Sequence, residues 1–223
     1  MSDERAARHQ PGRLVIISGP SGVGKNTVIR ALVPHYSFHF AISATTRGRR
    51  PDETDGVEYY FMDEEDFLEL IEAGRLLEWT EFAGNRYGTL RDEVFNYLDT
   101  GKDVLLDVEL NGAFQVMAAY PDALSIFLMP PSIGELESRM RGRRGMTEAQ
   151  IATRLELAKS QIERGRHRFA HVVVNADLDT TVSSIAGILR GRPSSAQGAQ
   201  AVVHPGPTPG ALPVPGPKDD AEA

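Results

Sequence analysis

Short apolar runs alternate with helical patterns along the middle of the chain. The runs lie at residues 14–17, 104–107, 124–129 and 171–174. Near-continuous apolar runs of this length are typical of strands that are buried on both faces, as in a parallel sheet covered by helices. Because helical patterns separate the runs, the sequence predicts an α/β fold built on a parallel sheet.

Capping residues mark where several helices begin. Ser132 and Thr147 each begin the Ser/Thr-x-x-Glu/Gln pattern of a capping box, and Asp63 precedes a third helical segment. A fourth helix is predicted over residues 27–33, because the proline that follows cannot continue it.

The composition changes at both ends of the chain and in one internal segment. Half of the 14 prolines fall within residues 191–223, and a segment of this composition cannot bury enough apolar surface to fold. We therefore predict that this tail is disordered. Residues 1–11 are predicted to be disordered as well. The folded part is then residues 12–190. Within it, the polar and aromatic segment 43–101, with a strand-like run at 57–61, indicates an inserted binding surface.

Charge and composition exclude several classes of protein. The 223 residues include 24 Lys and Arg against 31 Asp and Glu, a net charge of −7 that disfavours nucleic-acid binding. The absence of cysteine excludes disulfides and thiolate chemistry. No apolar run approaches the ~18 residues of a membrane span, and the polar N-terminus lacks a signal-peptide pattern. We therefore expect a cytoplasmic protein without membrane contacts.

A glycine-rich loop between the first apolar run and the following helix carries the strongest chemical signal. Its pattern, Gly-x4-Gly-Lys, is that of a P-loop, in which backbone N–H groups converge on phosphate oxygens at a helix N-terminus and the lysine reaches the β/γ-phosphates. The predicted ATP-binding loop residues are Gly19, Pro20, Ser21, Gly22, Val23, Gly24, Lys25, Asn26 and Thr27.

The loop departs from the P-loop pattern at one position. A Ser or Thr that ligates Mg²⁺ usually follows the lysine, and here Asn26 stands there with Thr27 next. Either residue is a candidate metal ligand, since an amide oxygen can also bind Mg²⁺. Asp107 ends a predicted strand, where a carboxylate holds Mg²⁺ through water, although it could be an ordinary strand-end residue.

Two clusters of arginines indicate anionic ligands in an otherwise acidic chain. Arg139 and Arg143 belong to a run of four arginines beside glycines, which suggests a flap that closes on a phosphoryl group, although a solvated charged face is the simpler interpretation. The second cluster combines two arginines with two tyrosines and could clamp a phosphate monoester, or be surface decoration. Its members are Arg47, Arg50, Tyr59 and Tyr87.

Together these motifs resemble the guanylate kinase family over about residues 12–190. The resemblance rests on eight ordered blocks, which are GPSGVGKNT, ATTRGRRP, EYYF, EWTEFAGNRYGT, LLDVELNGA, LMPPS, RGRR with the later TRLELA, and VVVNADLD. It implies a nucleoside-monophosphate-kinase fold of the P-loop type, with a parallel core, a GMP-binding lobe and a lid. The implied boundaries are 12–42, 102–137 and 152–190 for the core, 43–101 for the lobe and 138–151 for the lid.

The resemblance also implies roles for individual residues. Glu78 matches the carboxylate that reads guanine, whereas Glu109 stands where the family frequently has aspartate. Asn175 falls on the adenine side of ATP, although Ala176 departs from the family pattern there. The implied catalytic residues are Lys25, Arg139, Arg143 and Arg154. The implied GMP-binding residues are Ser43, Arg47, Arg50, Tyr59, Glu78, Tyr87, Thr89, Asp107 and Glu109.

The implied function is reversible transfer of the γ-phosphoryl group of ATP to GMP, with Mg²⁺ as cofactor and GMP or dGMP as acceptor. The alternative is a non-catalytic guanylate-kinase-like module that binds phosphoproteins through the same arginine and tyrosine pocket. The presence of Lys25, the loop glycines and Asp107 favours the enzyme, because a binding module does not need the ATP half of the site. The sequence leaves open whether the protein is a monomer or a homo-oligomer.

Overall fold

The computed structural model describes residues 10–142 and 147–191, which form two sheets connected by helices. The strands are β1 (Leu14–Ser18), β2 (His39–Phe40), β3 (Ser43–Thr45), β4 (Tyr60–Phe61), β5 (Leu76–Phe82), β6 (Asn85–Leu90), β7 (Val104–Asp107), β8 (Leu124–Met129) and β9 (His171–Val174). The helices are α1 (Lys25–Leu32), α2 (Glu64–Glu72), α3 (Arg91–Leu98), α4 (Leu110–Ala119), α5 (Ile133–Arg141), α6 (Glu148–Gly165) and α7 (Leu178–Arg190).

The core sheet is parallel throughout and has the strand order β2-β7-β1-β8-β9. Alternate residues of β1 point to opposite faces, so Leu14 and Ile16 pack against α3 and α4 while Val15 and Ile17 pack against α1 and α7. Helices therefore cover both faces of the central strands β7, β1 and β8, which explains why these strands have near-continuous apolar sequences. The predicted α/β fold with a parallel sheet is confirmed.

The second sheet has the order β4-β3-β6-β5 and combines parallel and antiparallel pairs. Its strands β5 and β6 form a hairpin whose turn contains Ala83 and Gly84, both with positive φ, 52° and 77°. Glycine adopts this conformation without strain, which makes the tight reversal possible. All four strands lie inside the predicted lobe 43–101, while the boundaries of core, lobe and lid stay predictions.

Two predicted elements differ from those in the structure. Helix α1 begins at Lys25 rather than at residue 27, because Gly24, with φ 102°, turns the loop directly into the helix. The predicted strand at 57–61 is wrong for its first part: only Tyr60 and Phe61 belong to a strand. The preceding residues form a turn at Gly56, whose φ is 74° and whose N–H donates to the carbonyl of Tyr59.

The predicted helix caps are present. Asp63 accepts a hydrogen bond from the backbone N–H of Asp66 at 2.9 Å, and Ser132 accepts one from Glu135 at 3.0 Å. Thr147 and Gln150 make both bonds of a capping box at the start of α6. In the part of the chain that the structure describes, no helix is long and apolar enough to cross a membrane. The predicted disordered tail 191–223 and residues 1–11 lie almost wholly outside that part.

Candidate active site

The loop between β1 and α1 has the backbone shape that phosphate binding requires. Gly22 and Gly24 have φ angles of 86° and 102°, and a Cβ on Gly19 would lie 2.6 Å from the carbonyl oxygen of Leu128. No side chain caps the start of α1, and its first turn contains no acidic residue. The free N–H groups and the positive end of the helix dipole are therefore available to an anion.

Lys25 and Asp107 lie next to each other at the carboxyl end of the core sheet. The Lys25 ammonium donates to the carbonyl of Gly19 at 3.2 Å and lies 3.9 Å from a carboxylate oxygen of Asp107. Burial raises the pKa of Asp107, an effect that the charge of Lys25 opposes and the charge of Glu109 reinforces. The positive charge of Lys25 therefore offsets the negative charge of the Asp107 carboxylate.

Two further predicted residues contact the outer side of the loop. The side-chain amide of Asn175 donates to the carbonyl of Val23 at 2.8 Å. The Arg139 guanidinium donates to the same carbonyl at 3.2 Å and to the carbonyl of Asn175 at 3.0 Å. These bonds connect α5, the end of β9 and the loop, so both residues brace the loop in this conformation.

The residues of the predicted phosphate clamp lie close to Arg47. Its guanidinium donates two hydrogen bonds to Glu53, at 2.7 and 3.0 Å, and lies about 5.4 Å from the ring centre of Tyr59. Tyr87 packs edge-on against Tyr59, with ring centres 5.9 Å apart. Arg50 lies 3.6 Å from Glu53 and is largely exposed, so its guanidinium can reach an incoming anion.

The charges of this clamp suit a phosphate monoester. Hydrogen bonds from Arg47 hold the pKa of Glu53 below its usual range, so the carboxylate stays ionised beside the guanidinium. Burial raises the pKa of Tyr59, and the Asp107 carboxylate adds to this effect, so the phenol stays protonated and can donate. Two guanidiniums and two phenols are strong donors for phosphate oxygens.

Three polar residues lie in one row across the second sheet. The strand register pairs Ser43 with Thr89 and Thr89 with Glu78, which places the three on adjacent strands β3, β6 and β5. The Thr89 hydroxyl donates to Glu78 Oε1 at 2.8 Å. The other carboxylate oxygen, Oε2, lies against Gly112 of α4, and Glu78 also lines an open cavity.

Glu78 is a buried carboxylate that has no cationic partner among residues 10–142 and 147–191. The residue is 5% exposed, and burial raises its pKa from the usual 4.5 to about 7, while the hydrogen bonds from Thr89 lower it. Buried carboxylates rarely lack a charged partner, since removing the charge from water is unfavourable. A perturbed carboxylate in a cleft is a feature of functional sites.

A single open cavity of about 220 Å³ brings the two halves of the site together. Lys25 and Asn26 of the loop line one part, and Ser43, Tyr59 and Glu78 of the second sheet line another. The predicted site residues that line it are Lys25, Asn26, Ser43, Tyr59, Glu78, Tyr87, Asp107 and Glu109. Lys25 and Glu78, which are 53 residues apart in the sequence, therefore face one space.

Of the other predicted residues, Arg154 does not line this cavity, Glu109 lines it, and Arg143 lies outside the described residues. Arg154 is half-buried on α6 and makes no hydrogen bond or ion pair with another described residue. Glu109, directly before α4, accepts a hydrogen bond from Gln161 of α6 at 3.2 Å. Arg143 falls within 143–146, outside the described residues, as does the middle of the predicted lid.

The donor groups fit a hydrated Mg²⁺ rather than a metal enclosed by protein. Among residues 10–142 and 147–191, no three His, Cys, Asp or Glu side chains are grouped so that they could hold a metal ion. The Asp107 carboxylate and the Asn26 amide line the cavity, and both offer oxygen ligands. Mg²⁺ keeps several waters and takes phosphate oxygens, so these two residues could hold it. Thr27, the other predicted ligand, is not among the residues lining the cavity.

Comparison with known proteins identifies the family. The family model described as "Guanylate kinase" matches residues 11–192. The chain belongs to the guanylate kinase family. Proteins named guanylate kinase from Synechococcus sp. (strain JA-3-3Ab) and Nostoc sp. (strain PCC 7120 / SAG 25.82 / UTEX 2576) are 48% and 46% identical to it. The alignments cover 80% and 81% of this chain and 82% and 90% of those proteins.

A solved structure agrees with this membership. The crystal structure of guanylate kinase from Anaplasma phagocytophilum matches this chain with a TM-score of 0.67 and 33% sequence identity, over 81% of this chain and 86% of that one. The resemblance inferred from the sequence motifs is therefore confirmed, together with the P-loop α/β fold.

Two residues of the site, Glu53 and Gln161, are not among those predicted from the sequence. Glu53 supplies the partner of Arg47, and its position in the same loop as three arginines was an available signal. Gln161 supports Glu109 and follows Arg154 by seven residues, a spacing that places both on one face of a helix. Neither spacing alone distinguishes such a partner from an ordinary surface residue.

Proposed function

We propose that this chain catalyses the reversible transfer of the γ-phosphoryl group of ATP to GMP, giving ADP and GDP. One observation carries the proposal: a single cavity is lined both by Lys25 of the P-loop and by the buried carboxylate of Glu78. The first suits nucleotide phosphates, and the second suits a base that presents two adjacent N–H donors.

In this proposal the P-loop holds ATP. The backbone N–H groups of the loop and of the first turn of α1 bind the phosphates. The Lys25 ammonium, which donates to Gly19 in this structure, moves to the β/γ-phosphates. Asn175 and Arg139 fix the Val23 carbonyl and thereby hold the loop in its phosphate-binding shape.

The second sheet holds GMP. The Glu78 carboxylate accepts from N1–H and N2–H of guanine, with the Thr89 hydroxyl keeping it in place. The phosphate lies at Arg47, Arg50, Tyr59 and Tyr87. In this proposal Glu78 and Thr89 recognise the base and not the 2′-hydroxyl of the ribose. We therefore expect dGMP to be an acceptor as well.

Catalysis then consists of positioning and charge neutralisation. In-line transfer brings two anionic groups together, and Lys25 with Arg139, Arg143 and Arg154 compensates the charge that gathers between them. The acceptor phosphate is already largely ionised near neutral pH, because its second pKa is about 6, so no general base is required. When bound, Mg²⁺ supplies further charge compensation at the phosphates, and Asp107 with Asn26 would hold it.

The alternative, a phosphoprotein-binding module, uses only the arginine and tyrosine clamp. It leaves the P-loop geometry, Lys25 beside Asp107 and the base-facing Glu78 without a role. The enzyme is therefore the better supported function. A cytoplasmic location, the absence of nucleic-acid and membrane partners, and the oligomeric state stay predictions.

An acceptor panel tests the proposal. ADP formation from ATP is measured by a coupled assay with GMP, dGMP, AMP and UMP in turn. We expect turnover with GMP and dGMP, and kcat/KM lower by roughly 10⁴-fold with AMP, since a site built for donors leaves its buried carboxylate unpaired against adenine. Equal turnover of AMP and GMP would contradict the assignment of Glu78, and no ADP with any acceptor would contradict the proposed enzyme.

A further inference from the structure

The carboxylate of Glu78 lies against a helix residue that has no side chain. Its oxygen Oε2 faces Gly112 in the first turn of α4, and a Cβ on Gly112 would lie 2.2 Å from that oxygen and 2.9 Å from the carboxylate carbon. Real Cβ atoms do not approach other atoms so closely. The two residues therefore fit together only because position 112 is a glycine.

The backbone does not explain this glycine. Gly112 is helical and does not belong to the glycines with positive φ, so alanine could adopt its conformation. Alanine is also the better helix former. Gly187, in the middle of α7, shows the opposite situation, because nothing lies within 4 Å of a Cβ placed there.

The overlap falls on the carboxylate of Glu78, whereas its methylene carbon Cγ would lie at an ordinary contact distance of 3.5 Å. Glu78 and Gly112 are both buried, and Glu78 also lines the open cavity. Oε1 is held by the Thr89 hydroxyl at 2.8 Å, and Thr89 is itself buried. A methyl group at position 112 would therefore move the carboxylate into the cavity or break its bond to Thr89.

We infer that Gly112 is a specificity-determining position, where the missing side chain lets the Glu78 carboxylate take the place that pairs with guanine. This inference rests on the proposed function, in which Glu78 reads the base. Gly112 does not touch the substrate and acts through Glu78, so it is a positioning residue.

A double-mutant cycle tests the inference. The full chain is compared with Gly112→Ala, Glu78→Ala and the double variant, and Gly187→Ala serves as the matched helical control. We expect Gly112→Ala to lower kcat/KM for GMP by ~10²-fold, the scale of losing a charge-assisted pair, and to narrow the GMP/AMP ratio. The KM for ATP should not change. The control Gly187→Ala should have the same kcat/KM for GMP, GMP/AMP ratio and KM for ATP as the parent.

The two single variants separate the inference from the proposed function. In the Glu78→Ala background, Gly112→Ala should have no further effect on GMP, because the clashing carboxylate is gone. A folded Gly112→Ala with an unchanged GMP/AMP ratio overturns the inference, while Glu78→Ala with an unchanged ratio overturns base reading itself.

Melting temperatures decide the case in which Gly112→Ala fails to fold. If the double variant then melts at the temperature of Glu78→Ala, the contact with Glu78 is the cause and the inference stands. If the double variant also fails to fold, the glycine serves helix packing alone and the inference is overturned.

Discussion

Replacing Glu78 by glutamine tests whether the base-reading carboxylate makes folding stability depend on pH. Burial raises the pKa of Glu78 from 4.5 to about 7. The pKa of this carboxyl group is higher in the folded protein than in the unfolded chain, so its protonation contributes to the free energy of unfolding. This contribution is fully present below pH 4.5 and is lost as the pH rises through 7. Glutamine has the same shape and does not titrate in this range, so the variant should lack this contribution.

The size of the effect follows from the two pKa values. A tenfold change in an equilibrium constant corresponds to about 1.4 kcal/mol, so ionising Glu78 costs about 3 kcal/mol more in the folded protein than in the unfolded chain. Between about pH 5 and pH 8, the parent should lose about 2–3 kcal/mol of stability relative to Glu78→Gln. Since the group is almost completely buried, solvent screening reduces this figure little.

Urea unfolding at both pH values measures the difference directly. The free energy of unfolding is obtained for the parent, for Glu78→Gln and for Glu81→Gln, an exposed residue on the same strand β5. We expect Glu81→Gln to follow the parent and Glu78→Gln to diverge from it as the pH rises. Parallel pH dependence in parent and Glu78→Gln would refute the reasoning, because it would show that Glu78 titrates alike in both states.

Three further changes probe the P-loop and the tail. Lys25→Ala should lower kcat by ~10³-fold in the coupled assay, because a charge at the transferring phosphoryl group is lost, and should leave the melting temperature unchanged. Activity within tenfold of the parent would contradict the role of Lys25. Asn26→Ser should lower the Mg²⁺ concentration needed for half-maximal activity, because it restores the usual hydroxyl ligand; an unchanged requirement would show that Asn26 already serves. Deleting residues 191–223 should leave activity and melting temperature nearly unchanged, and a loss of stability above about 1 kcal/mol would contradict the predicted disorder.

The core of the fold is predictable because its signals are local. A strand buried on both faces has a continuous apolar sequence, and this pattern alone locates β7 and β8. Capping residues likewise locate the starts of α2, α5 and α6, since each cap bonds to a residue three positions away.

The second sheet is harder to predict because its strands depend on contacts between distant segments. Strand β4 has only two residues and exists because it pairs with β3, so the apolar run at 57–61 overstates it. The same limit applies to the site. Lys25 and Glu78 belong to motifs, whereas the contact of Glu78 with Gly112 joins β5 to α4 and has no pattern in the sequence.

Reversed-phase chromatography of the reaction tests the central claim most directly, because it separates the adenine nucleotides from the guanine nucleotides and measures both products at once. The purified full chain is mixed with ATP, GMP and Mg²⁺, and the amounts of ADP, GDP and inorganic phosphate are followed over time. Transfer between nucleotides predicts that ADP and GDP appear in equal amounts, and that ADP and GDP supplied alone return ATP and GMP. ADP accompanied by inorganic phosphate without GDP, or no ADP at all, would contradict the claim that this cleft transfers the γ-phosphoryl group of ATP to GMP.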